Sequence, residues 1–137
     1  MRTRIISSLA GAALLLGAAG SSMAHHAFSA EFDADSPVEL RGTVTKMEWI
    51  NPHSWIHIDV VNEDGEVEQW MVEGGAPNAI LRRGFTADSL KPGTVILVAG
   101  YQARDGSNRA NGRDIAFEDG SKLFFGIGSP GAPDARD

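Results

Sequence analysis

HSWIHIDVVNEDGEVEQWMVE, residues 53–73, is the stretch that decides the fold. Its first half alternates. Ser54, Ile56, Ile58 and Val60 fall on one face, and His53, Trp55, His57 and Asp59 on the other, as on a strand with one side buried. Glu63-Asp64-Gly65 reads as a hairpin turn. The return strand, Glu66–Glu73, sets Trp70 and Val72 on one face and Gln69, Met71 and Glu73 on the other. Setting Ile58 against Trp70 joins apolar side chains. The same register opposes Ile56 to Val72, His57 to Met71, Asp59 to Gln69 and Trp55 to Glu73. A slip by one residue would bury the polar set, so the hydrophobic pattern selects this pairing.

Upstream, Val38–Trp49 reads as a long strand. Gly42 inside it marks a bulge or a sharp bend, and Asn51-Pro52 breaks it from the hairpin. Residues 29–37, SAEFDADSP, read as an acidic, turn-rich lead-in. Downstream, Gly74-Gly75 ends the hairpin. Pro77–Arg83 predicts a short helix closed by Gly84, with Thr86–Leu90 adding a turn. Thr94–Tyr101 is a β-branched, apolar strand, residues 105–108 are a loop, and Arg113–Phe117 and Lys122–Phe125 are short strands. Three strands, a short helix, then two or three strands predict an all-β chain. The expected form is a small OB-fold-like barrel of five to six strands, with the helix between strands 3 and 4. Another small barrel or sandwich is the alternative.

The beginning of the chain sets an expectation about compartment. Arg2 and Arg4 precede an apolar run rich in Ala, Gly and Leu, and Ser22-Met23-Ala24 ends it. That is the layout of a secretory signal peptide cleaved after Ala24, with a periplasmic or secreted product. The run is short for a membrane span, and no integral membrane segment is expected after cleavage. The expected organisation is a signal peptide over 1–24, an N-terminal segment over 25–37, the barrel domain over 38–125 and a disordered tail over 126–137. There is no Cys, hence no disulfide and no thiolate metal site. The formal net charge is −6, and about −8 once Arg2 and Arg4 are removed. Such an acidic chain repels phosphate backbones and is not expected to bind nucleic acid.

All four histidines, His25, His26, His53 and His57, lie at the expected mature N-terminus or on one face of one strand. On a strand, His53 and His57 stand ~13 Å apart, too far to share one metal. Two groupings remain. His25, His26 and His53, with the freed α-amine of His25, form a nitrogen set suited to Cu(II). His57 with Met71, joined by Met47 and a neighbouring Trp, mixes imidazole and thioether and suits Cu(I). Glu31, Asp33 and Asp35 lack the spacing of a calcium loop. The main reading is an exported protein that binds a transition metal, copper favoured. The alternative is a metal-free OB module for a small molecule or another envelope protein. It would use Trp55, Glu73, Tyr101, Arg104, Asn108, Asn111 and Arg113. Plain structural roles stand beside each: His53 holding a turn, His57 a half-buried cross-strand partner, the tryptophans packing. No GxSxG or HExxH pattern occurs, so catalysis stays open only through an N-terminal histidine brace.

At HHAFSAEFD, NPHSWI, GAPNAILRRG, LKPG and GYQARDGSNRANGR the chain resembles a family of small secreted bacterial proteins catalogued as a domain of unknown function. The resemblance implies export and a single small β domain, and carries over no catalytic residue. More loosely, His57, Met71, Met47 and Trp49 or Trp55 are similar in type to the ligands of periplasmic OB-fold copper and silver chaperones. The spacing differs, so this is a likeness of fold only. The chain is likewise similar to other exported OB domains that bind ligands or partners without metal.

Overall fold

The alternating hairpin forms in the expected register. In a computed structural model that describes residues 28–126, β1 spans Phe32–Glu48, β2 Trp55–Val61 and β3 Val67–Glu73. Ile58 faces Trp70, Ile56 faces Val72, His57 faces Met71, Asp59 faces Gln69 and Trp55 faces Glu73. Asn62 fixes the turn between the strands. Its side-chain oxygen accepts from the backbone N–H of Asp64 and Glu66, and Gly65 takes a positive φ of 82°. A short helix, Pro77–Leu81, and a 3-10 turn, Ala87–Leu90, follow. Then come β4 (Val95–Ala103), β5 (Arg109–Phe117) and β6 (Lys122–Phe124). The expected leader, His25, His26 and the tail beyond Gly126 lie outside the described residues.

The strands form one sheet in the order β3-β2-β1-β4-β5-β6, and β3 also pairs with β5. That pairing is parallel and covers three residue pairs, from Met71↔Arg109 to Glu73↔Asn111. With so short a seam, the all-β domain is a ring-like sheet rather than a true closed barrel. Beyond the seam, β6 takes over as partner of β5 at Asp114–Ala116.

Inside the ring, Val44, Ile56, Ile58, Val72, Ile96, Val98, Ile115 and Leu123 are almost wholly buried, with Ile80 and Leu90 brought in by the two helical pieces. Each such side chain stabilises the fold by roughly 1.5–3 kcal/mol relative to exposure. A second, smaller cluster of Phe28, Phe32, Tyr101 and Ala103 ties the N-terminal part of β1 to β4.

Three features differ from expectation, each for a non-local reason. β1 begins at Phe32 rather than Val38, because Phe32 is anchored in the second cluster and pairs with Ala103; a register shift before Pro37 absorbs the acidic residues between. β5 begins at Arg109 rather than Arg113, because residues 109–111 find β3 as a parallel neighbour. The irregularity expected at Gly42 falls instead at Thr45, between Val44 and Lys46. Gly42 serves close approach. It pairs with Val60 and Ile96 at once, and a Cβ there would stand 2.9 Å from the Asp59 carbonyl oxygen.

Gly42→Val therefore overpacks the junction of β1, β2 and β4 and lowers stability by roughly 1–3 kcal/mol in urea unfolding. Val61→Ala, at an exposed position, shifts it by no more than about 0.5 kcal/mol. Equal midpoints for the two variants would contradict the close approach at Gly42.

Candidate functional site

The polar set of the hairpin becomes the outer face of the sheet. From β2 and β3 it presents Trp55, His57, Gln69 and Met71. The bulge at Thr45 adds β1, placing Lys46 opposite His57 and Glu48 opposite Trp55. The Met71 N–H donates to the Asn108 carbonyl at 3.0 Å, so it turns away from β2 and toward the strand beyond the seam. His57 and Met71 are thus a non-hydrogen-bonded pair, the kind whose side chains approach more closely.

A half-open pocket of about 350 Å³ lies here, lined by Thr45, Lys46, His57, Ile58, Gln69, Trp70, Met71 and Asn108. Its volume is at the lower end of small-molecule sites, which run from roughly 300 to 1,000 Å³. Five of the lining residues carry side-chain N–H groups, of which the Trp70 indole N–H is already given to Glu68; Met71 supplies an apolar surface, and none is acidic.

Glu48 stands at the rim. One carboxylate oxygen accepts from the Lys46 ammonium, and the other lies 3.5 Å from His57 Nε2, an ion-pair separation rather than a hydrogen bond. That Nε2 is buried and makes no hydrogen bond. The Lys46 hydrogen bond first, and the His57 imidazole second, hold the Glu48 carboxyl below its ordinary value.

Next along the chain from Asn108, Arg109 joins three elements. Its guanidinium lies 5.7 Å from the Trp55 ring centre and 5.9 Å from that of Phe32, and Nη2 pairs with Glu31 at 3.0 Å. Arg104 Nε donates to the Ser29 carbonyl at 2.6 Å, and its backbone N–H donates to that of Glu31. Phe28 packs edge-on to Tyr101. The two arginines and this aromatic contact hold residues 28–33 against the domain beside Trp55.

His53 lies just before β2, after the cis Asn51–Pro52 peptide. Its Nδ1 donates to Glu73, which is only 6% exposed at the end of β3. A carboxylate thus fixes the imidazole ring, and Nε2 is the nitrogen left over.

His57, Met71 and Asn108 meet in the pocket, with Trp55 beside it under Arg109. Glu73 and Asn111 are buried partners across the seam. Tyr101 is buried in the small cluster, Arg104 holds the N-terminal segment, and Arg113 pairs with Asp114 at 2.8 Å. His53 is tied to Glu73, and His25 and His26 lie outside the described residues. Lys46 and Glu48 belong to the face and were not anticipated, because the β1–β2 register hides them. Arg109 lies in the loop from Asn108 to Arg113 expected to contact a ligand, but its place beside β3 depends on a parallel pairing across 38 residues of chain.

Among the described residues no group of three or more His, Asp or Glu is placed to hold a metal ion, and the chain has no Cys. No helix of the described residues is long and apolar enough to cross a membrane. The chain belongs to a family of unknown function (DUF6152), whose model matches residues 12–112. That span takes in β1 to β4, the hairpin face and the seam as far as Gly112. No curated protein and no solved structure matches the chain.

The environment of Glu48 gives a signed pH dependence. A carboxyl lowered in the folded state contributes stability that is full above the unfolded value and is lost as the pH falls through the folded one. In Lys46→Met, the titration midpoint of the Glu48 side-chain carbon, followed by NMR, rises toward the ordinary carboxylate value. An unmoved midpoint would contradict the assigned cause.

Proposed function

We propose that the protein is an exported, OB-fold-like binding module that holds a small polar molecule on the outer face of β1, β2 and β3. The observation that carries this reading is the convergence at one pocket of four chain segments bearing N–H groups around the Met71 side chain. Backing comes from the Trp55–Arg109 contact at its edge, since an aromatic ring under a guanidinium is a firm wall for a planar ligand. The ring order of β1, β2, β3, β5 and β4 supports the OB-fold-like assignment, in which this strand set and its loops are the usual ligand face. Export rests on the leader layout of residues 1–24. Another envelope protein seated on the same face is the competing occupant.

Screening a set of small polar molecules by NMR tests the reading. The expected hits shift the amides of Lys46, His57, Gln69, Met71 and Asn108, and lose about tenfold in affinity in Gln69→Ala or Met71→Ala, a change of about 1.4 kcal/mol. Hits whose shifts cluster elsewhere, or none at all, would overturn it.

Copper binding is the second reading, and one observation favours it. Glu73 engages Nδ1 of His53, the arrangement in which a second-shell carboxylate orients a metal-ligating imidazole through its other nitrogen. The proposed set is His25, His26 and His53, with His57 and Met71 as a second site. The segment that follows His25 and His26 is anchored on the domain at Phe28 and Ser29. In a Cu(II) titration of the mature protein, His53→Ala weakens binding by about tenfold or more. Unchanged affinity in both His25→Ala and His53→Ala would overturn this reading.

A further inference from the structure

We propose that the pocket recognises a small organic carboxylate, and that Glu48 occupies the carboxylate position when no ligand is bound. The inference rests on the small-molecule reading of this site and names its ligand class.

The charge of the pocket wall differs from that of the chain as a whole. The chain carries 18 acidic against 12 basic residues, yet the pocket lining has no acid and, besides Trp70, whose N–H is given to Glu68, four N–H-bearing side chains, Lys46, His57, Gln69 and Asn108. A wall of donors with one fixed cation, in an otherwise acidic protein, selects an acceptor-rich anion over a cation. Asp59, two residues along β2, lies outside the lining.

A carboxylate already fills the cationic corner. Glu48 sets one carboxylate oxygen on the Lys46 ammonium and the other 3.5 Å from His57 Nε2. The corner thus accommodates one planar carboxylate between a cation and a ring nitrogen. Glu48 does so incompletely, for His57 Nε2 is shielded from solvent and stays without a hydrogen bond. A buried polar atom without a partner costs on the order of 1–3 kcal/mol. A ligand carboxylate that displaces Glu48 and closes the gap to hydrogen-bond distance recovers that cost. It also keeps the ammonium paired. Met71 then covers the apolar part of the ligand.

Benzoate and benzamide test this, being alike in shape and different in charge. Both are titrated into the purified protein and into Glu48→Gln and Lys46→Met, with amide shifts as the readout. Lys46 is well exposed and Glu48 lies at the rim, so both variants keep the fold, and their spectra away from β1–β3 serve as the check. Benzoate is expected to shift the pocket amides and to bind about tenfold tighter than benzamide. Glu48→Gln, which removes the internal competitor, tightens benzoate by about three- to tenfold and leaves benzamide unchanged. Lys46→Met abolishes the preference.

Benzamide binding as well as benzoate at the same amides would overturn the carboxylate inference while leaving the small-molecule reading intact. Benzoate binding Glu48→Gln no better than the unaltered protein would overturn the role of Glu48. Failure of both probes to move the pocket amides in any of the three proteins would overturn the inference. A simultaneous lack of hits in the wider screen would take the small-molecule reading with it.

Discussion

A hairpin with one apolar and one polar side must bury the first and cannot bury the second. Everything else in this domain follows from how β2 and β3 meet that constraint. Ile56, Ile58, Trp70 and Val72 form a row that the rest of the ring encloses. Their neighbours in the chain, Trp55, His57, Gln69 and Met71, are displayed outward by the same pairing. Shifting the register by one residue would expose four large apolar side chains, at roughly 1.5–3 kcal/mol each. The energetics of the core thus fix the geometry of the outer face, and His57 opposes Met71 because Ile58 must oppose Trp70.

Two departures from regular pairing turn that face into a pocket. The extra residue at Thr45 carries Lys46 to His57 and Glu48 to Trp55, giving the pocket a charged border. The short parallel seam brings Asn108 and Arg109 alongside Met71. Arg109 then spans Trp55, Phe32 and Glu31, so the N-terminal segment becomes part of the surroundings of the site. Rigid strands supply the floor, and a loop and a bulge supply the walls. Sites commonly divide the work this way, because strands fix position while irregular backbone aims side chains.

The sequence was most legible where a pattern is local. The alternation over residues 53–61 and 67–73 gave every pair of the hairpin, including the His57–Met71 and Trp55–Glu73 juxtapositions. The turn at Gly65 and the short helix after Gly75 were equally plain. What it concealed depends on distant partners. Nothing near Thr45 signals that the bulge falls there rather than at Gly42. Nothing near Arg109 signals a parallel partner in β3. Phe28 and Phe32 resemble ordinary residues of the N-terminal segment until Tyr101 and Ala103 arrive from β4. Tyr101 and Arg104 look like ligand contacts in sequence, being a polar aromatic and a cation near a loop. In the fold they are engaged with the N-terminal segment.

The central claim is that the β3–β5 seam completes the pocket, and the Met71 amide reports on it most directly. Its hydrogen bond runs to Asn108 across that seam. Amide hydrogen exchange in the unliganded protein should find Met71 protected to a degree comparable with Val72 in the core of the hairpin, and far above the turn residues Asp64 and Gly65. A Met71 amide exchanging as fast as the turn would mean that β5 does not close on β3, that Asn108 and Arg109 stand away from the face, and that the proposed site does not exist.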